Sequence, residues 1–150
     1  MIKRALVAIF LAVVAVPVFA APCWACTCGS SGTPEDQRHS QAENADLVFT
    51  GIAKARRIKD PSPGDRISGD ERIFVKFRVG KIYKGHPGRW ETIFTGTAGD
   101  SCRYGFKLGR RYTVFAYEHN DRYVTSSCSG TKRGRIDPEN YGLPRGHRPN

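Results

Sequence analysis

Carboxylates are scarce in this 150-residue chain: 14 Asp and Glu stand against 24 Lys and Arg, for a formal net charge of +10. That balance excludes an acidic solvating segment and favours weak attraction to acidic polymers or membrane surfaces. The four histidines, His39, His86, His119 and His147, are scattered. There is no H-E-x-x-H helix, no Ser-His-Asp arrangement and no glycine-rich phosphate loop. Asp36, Glu43, Asp46, Asp100 and Glu118 fall in no pattern of paired catalytic carboxylates. The chain therefore reads as a non-enzyme, with its histidines as solvated surface groups. Long apolar runs are also few. The one candidate, residues 5–16, is short for a membrane span.

That run follows Lys3 and Arg4 and precedes Pro17 and small residues, the n-region, h-region and cleavage zone of a secretory signal peptide. Two cuts fit the small-residue rule, after Ala20 and after Ala25. The first leaves five cysteines (Cys23, Cys26, Cys28, Cys102, Cys128) and the second leaves four. An oxidising compartment favours complete pairing, and hence the second cut. The expected organisation is then a signal peptide over 1–25, one domain over 26–130 and a polar tail over 131–150. Removing Lys3 and Arg4 lowers the formal charge to +8. The mature protein is expected to be secreted, extracellular or periplasmic, with no membrane partner after cleavage.

Cys23-Trp-Ala-Cys26 has the spacing of a redox pair. It lacks the preceding strand and following helix that a thioredoxin-type site requires, and Thr27 stands where a haem-attachment motif needs His. Four zinc-binding thiolates are the other alternative, but the spacing is not that of paired C-x-x-C knuckles. Two disulfides between the amino terminus and the rest of the domain are the simpler expectation.

Thr33 as cap, Pro34 at the first helical position and Glu35 and Asp36 behind it predict a polar surface helix over 34–45. Strands are expected over 46–55, 71–85, 90–97, 110–118 and 122–128, the last two joined by a turn at His119-Asn-Asp. In the second, Val75, Phe77 and Val79 alternate with Lys76 and Arg78. In the fourth, Tyr112, Val114 and Ala116 alternate with Arg111, Thr113 and Phe115. Residues 56–70 read as a charged Pro/Gly-rich loop, and the tail as mostly extended or disordered, with one helical turn near 137–141. The fold class is all-β with minor α. A five-stranded OB-type closed barrel with one N-terminal helix is expected, with a sandwich as the alternative. The interleaving of Arg56, Arg57, Lys76, Arg78 and Lys81 with Phe74, Tyr83 and Trp90 suits an oligonucleotide-binding barrel. Export removes that partner, so no nucleic-acid binding is expected and these residues read as solvated faces with weak polyanion affinity.

Cys26-Thr-Cys28 at a mature amino terminus, the helix, Asn44-Ala-Asp-Leu-Val, Lys81-Ile-Tyr-Lys-Gly, Ser101-Cys102 and Tyr123-Val-Thr-Ser-Ser-Cys128 together resemble the inhibitory, netrin-like domain of the tissue inhibitors of metalloproteinases. The resemblance spans residues 26–130. It implies disulfides Cys26–Cys102 and Cys28–Cys128. The family's third bridge has neither half here. The resemblance also implies a monomeric protein inhibitor of zinc metalloproteases with no cofactor of its own. The α-amino and carbonyl groups of Cys26 would chelate zinc supplied by the target protease, displacing its water. Thr27 would enter the specificity pocket beside Cys28, and Ser101 and Cys102 would form a second contact segment. A non-inhibitory netrin-like module for acidic polysaccharide or protein partners is the alternative.

Overall fold

A computed structural model describes Cys26, Cys28, Gly29 and residues 32–59 and 71–150. The expected signal peptide, Thr27 and residues 60–70 of the charged loop lie outside the described residues.

Helix α1, Pro34–Asn44, begins where its cap predicts. The Thr33 hydroxyl accepts from the Asp36 amide, and the Asp36 carboxylate accepts from the Thr33 amide at 2.8 Å. This reciprocal pairing satisfies two orphan donors. Hydrogen bonds from the Thr33 hydroxyl and then its amide hold the Asp36 carboxyl below the usual range. At the other end Lys84 Nζ donates to the Ala42 and Glu43 carbonyls at 3.0 and 2.8 Å, a cation at the negative pole of the helix. Only Ala42 of the helix is buried.

Five strands form a ring. They are β1 (Leu47–Lys59), β2 (Arg72–Lys84), β3 (Trp90–Thr97), β4 (Arg111–His119) and β5 (Arg122–Val124). β1 pairs with β2, β2 with β3, β4 with β5, and β1 with β4, all antiparallel; a parallel β3–β5 pairing closes the circuit. Three register shifts in the β1–β2 pair bend these long strands, as bulges do. A sixth strand, β6 (Lys132–Arg133), adds to β4.

Inside the ring lie Leu47, Phe49, Val75, Phe77, Val79, Ile93, Val114 and their neighbours. Phe77 is at its centre, edge-to-face with Phe49, Phe106 and Tyr112. A second cluster outside the ring joins Ala42 and Ala45 to Val48, Tyr83, Phe115, Tyr141 and Leu143.

Four expectations change. β1 continues through Arg56 to Lys59, paired with Val75 to Arg72. Residues 54–59 are all exposed, so backbone pairing rather than burial forms this ribbon and no apolar period marks it. β5 is only three residues long, because residues 125–131 turn into a hydroxyl network. Phe115, expected on a polar face, is fully buried, since the helix and tail cover the outer face of β4. The tail is ordered: Glu139–Tyr141 form a 3-10 turn, Tyr141 and Leu143 are buried, and Ile82 and His147 exchange backbone hydrogen bonds of 2.8 and 2.9 Å. Gly146 permits that approach, because a Cβ there would lie 2.5 Å from the Ile82 carbonyl. Two buried apolar anchors in twenty residues are too sparse to show a period.

The hydroxyl network is centred on Thr125, 1% exposed. Its Oγ1 donates to the Phe115 carbonyl at 2.8 Å and lies 2.7 Å from both the Ser129 and Thr131 hydroxyls. The Phe115 amide donates to Thr131 Oγ1 at 2.9 Å. Thr125→Val keeps the shape and strands these partners, so it is expected to cost about 1–3 kcal/mol, read as a lower urea midpoint at an unchanged slope.

Candidate functional site

The disulfides are Cys26–Cys102 and Cys28–Cys128, with Cα separations of 5.0 and 5.3 Å. These are the pairings that the resemblance implied. The bridges sit side by side, with Cys26 Sγ 3.6 Å from Cys128 Sγ. They fasten Cys26 and Cys28 to two places at once: the turn after β3, which carries Cys102, and the turn after β5, which carries Cys128.

Each anchor is itself held. The Cys102 amide donates to Asp100 Oδ1 at 2.8 Å, and its carbonyl accepts from the Ser127 amide at 2.9 Å and the Ser127 hydroxyl at 3.1 Å. Cys102 is thus fixed from both sides of its peptide, and Ser127 ties the two anchoring turns together. Asp100 packs against Gly96, whose φ of +114° puts it in glycine's range; a Cβ there would stand 2.6 Å from Asp100 Oδ2. The Cys128 amide donates to Ser126 Oγ at 3.2 Å, and the Ser126 amide to Ser129 Oγ at 3.4 Å. The second anchor therefore connects directly to the Thr125 network.

Cys28 and Ser101 are exposed, and Cys26 and Cys102 half-buried. The structure thus gathers four of the five expected contact residues on one cross-linked surface edge. The fifth, Thr27, lies outside the described residues. Beside the edge, between α1 and the end of β4, is a cleft of about 450 Å³ lined by Cys28, Gln37, Gln41, Tyr117 and Ser127 among others. Asp100 and Ser127 are positioning residues that sequence reasoning missed. A signal existed in their immediate proximity to Cys102 and Cys128, but an Asp two residues before a cysteine is too common to single out.

Among the described residues, the one group of His, Cys, Asp or Glu close enough to share an ion is Cys26, Cys28 and Cys128, with sulfurs within 4.8 Å of one another. All three are oxidised into bridges, and a metal ligand must be a thiolate. The expected histidine scatter holds: His39 is on α1, His86 between β2 and β3, His119 at the end of β4 and His147 in the tail. No helix among the described residues is long and apolar enough to cross a membrane, and paired disulfides are the chemistry of an oxidising compartment. No protein-family model matches the sequence, and no curated protein matches it either.

Proposed function

We propose that the chain is a secreted protein inhibitor of zinc metalloendopeptidases, built on a netrin-like OB barrel and acting through a free amino terminus at Cys26. The observation that carries this reading is the pair of adjacent bridges that holds Cys26 and Cys28 beside Ser101 and Cys102. The ring order, with its antiparallel β1–β4 contact and parallel β3–β5 closure, supports the OB assignment.

The chemistry follows from the first residue of the mature chain. An α-amine and the carbonyl of the same residue form a five-membered chelate on a metal. A catalytic zinc keeps one position open to water; the amine nitrogen would displace that water and the carbonyl oxygen would add as a fifth ligand. The donor must be the neutral amine, whose reference pKa of about 7.7–8.0 makes deprotonation inexpensive near neutrality. Cross-links on both sides of Thr27 limit the freedom the segment loses on docking, which favours affinity. Thr27 would enter the pocket beside the scissile position. Ser101, exposed next to the fixed Cys102 peptide, would form the second contact.

Mass spectrometry of the exported protein, with stoichiometric titration against a panel of zinc endopeptidases, tests this. The expected result is Cys26 as first residue, with an unmodified amine, and one-to-one inhibition of at least one peptidase. A first residue of Ala21, or an acylated Cys26 amine, overturns the mechanism.

A further inference from the structure

A groove of about 930 Å³ lies between the bent middle of the β1–β2 pair and the carboxyl-terminal tail. Its lining shares no residue with the disulfide edge or the cleft beside it. Six cations line it: Arg78, Lys81, Arg89, Arg111, Arg135 and Arg148. All six are exposed, and no Asp or Glu is among the lining residues.

Several remote segments build it. Thr50, Gly51 and Gly80 also line the groove, at a register shift between Thr50 and Gly51. Gly51 has no room for a side chain, since a Cβ would meet the Phe49 ring at 2.9 Å and the Arg78 carbonyl at 3.0 Å. Arg78, Lys81, Arg89 and Arg111 come from the strands and the β2–β3 connection. Arg135 and Arg148 come from the tail, and the Ile82–His147 backbone pairing holds Arg148 in place. Convergence of six like charges from β2, the β2–β3 connection, β4 and the tail is a property of the fold, which no run in the sequence displays. In water, two like charges about 10 Å apart repel by only about 0.4 kcal/mol, so exposed cations can share such a groove. A ligand carrying repeated anions would meet all six cations together.

The groove's aromatic content selects among polyanions. Single-strand nucleic-acid sites present rings on which bases stack. Here Trp90 is 49% exposed, but Lys76 Nζ lies over its ring at 5.1 Å, and Tyr83 is buried. The groove thus offers six cations but a single half-exposed ring, where a run of stacked bases needs several. The disulfides, in turn, place the protein in an oxidising compartment.

We propose that this groove binds a linear acidic polysaccharide through its repeated sulfate or carboxylate groups. The site is separate from the disulfide edge and stands whether or not the inhibitor reading does. The test is heparin affinity at physiological salt, with Trp90 fluorescence as the titration signal. Two triple variants lose equal charge: Arg78→Gln/Arg111→Gln/Arg148→Gln in the groove, and Arg56→Gln/Arg57→Gln/Lys59→Gln on the exposed ribbon. Unchanged thermal midpoints verify that both fold. The expected result is a groove variant weakened at least about tenfold and a ribbon variant weakened less than about threefold, because screening confines the effect to charges near the ligand. Equal weakening of the two, no binding by the parent protein, or equally tight binding of a single-stranded oligonucleotide of matched charge overturns the proposal. Protease inhibition by the groove variant is expected to equal that of the parent, which separates the two sites.

Discussion

One alanine added ahead of Cys26 in the mature protein is expected to lower inhibition of a susceptible zinc peptidase at least about a thousandfold, roughly 4 kcal/mol of binding. The extension turns the α-amine into an amide. An amide nitrogen has no available lone pair, so the chelate loses one of its two donors and the metal keeps its water. The extension also adds atoms where the segment would approach the metal, so steric exclusion acts in the same direction. The bridges, the ring and the Thr125 network are untouched, and the unfolding midpoint should not move. That contrast separates a lost metal ligand from a lost fold. A second readout is pH. If the donor is the neutral amine, inhibition by the unextended protein should weaken as pH falls, by up to about tenfold per pH unit once the amine is mostly protonated. The residual binding of the extended variant should lack that slope. An extended protein that inhibits as well as its parent would remove Cys26 from the mechanism.

The parts of this architecture that were legible in the sequence are those with local physical signatures. Thr33-Pro34-Glu35-Asp36 announces a helix start through capping and dipole chemistry, and α1 begins there. Val75, Phe77 and Val79 alternate with charge and point into the ring. The cysteine pairing was legible only through the resemblance, since four cysteines permit three pairings. What was hidden depends on contacts remote in sequence. Phe115 reads as a solvent-side residue until α1 and Tyr141 cover it, the latter with its ring centroid 5.3 Å away. Arg56 to Lys59 read as loop because an exposed two-stranded ribbon carries no hydrophobic period. Asp100 and Ser127 gain their importance from the Cys102 peptide they both grip, a contact that exists only after β3 and β5 have paired. The tail held too few apolar residues to look like part of a core, yet it supplies two anchors of the outer cluster and two of the groove's cations.

Removing either disulfide as a Cys→Ser pair is expected to cost about the same, near 3.5 kcal/mol, although the two bridges span sequence separations of 76 and 100 residues. The equality follows from their overlap. With Cys26–Cys102 intact, the unfolded chain between Cys28 and Cys128 is already shortcut through that bridge, and the remaining bridge closes an effective loop of roughly 28 residues. The same loop is closed when the roles are exchanged. Removing both bridges then releases the full chain and is expected to cost about 8 kcal/mol, more than the two single losses together. For a domain whose total stability falls in the usual range of about 5–15 kcal/mol, that loss brings the fold to the edge of unfolding. Urea titration of the two single-pair variants and the double variant measures all three values. Single losses of about 4.5 and 4.7 kcal/mol, with a double loss equal to their sum, would mean instead that the adjacent bridges act independently in the unfolded chain. The functional consequence differs between the two single losses. Without Cys26–Cys102 the proposed zinc-binding residue loses its own tether while Cys28 keeps its anchor, so inhibition should fall further than the shared stability cost explains. Without Cys28–Cys128 the proposed zinc-binding residue stays fixed to the Cys102 peptide, and inhibition should weaken less. Equal stability loss with unequal loss of inhibition is therefore the signature expected if the amino terminus, rather than the edge as a whole, engages the metal.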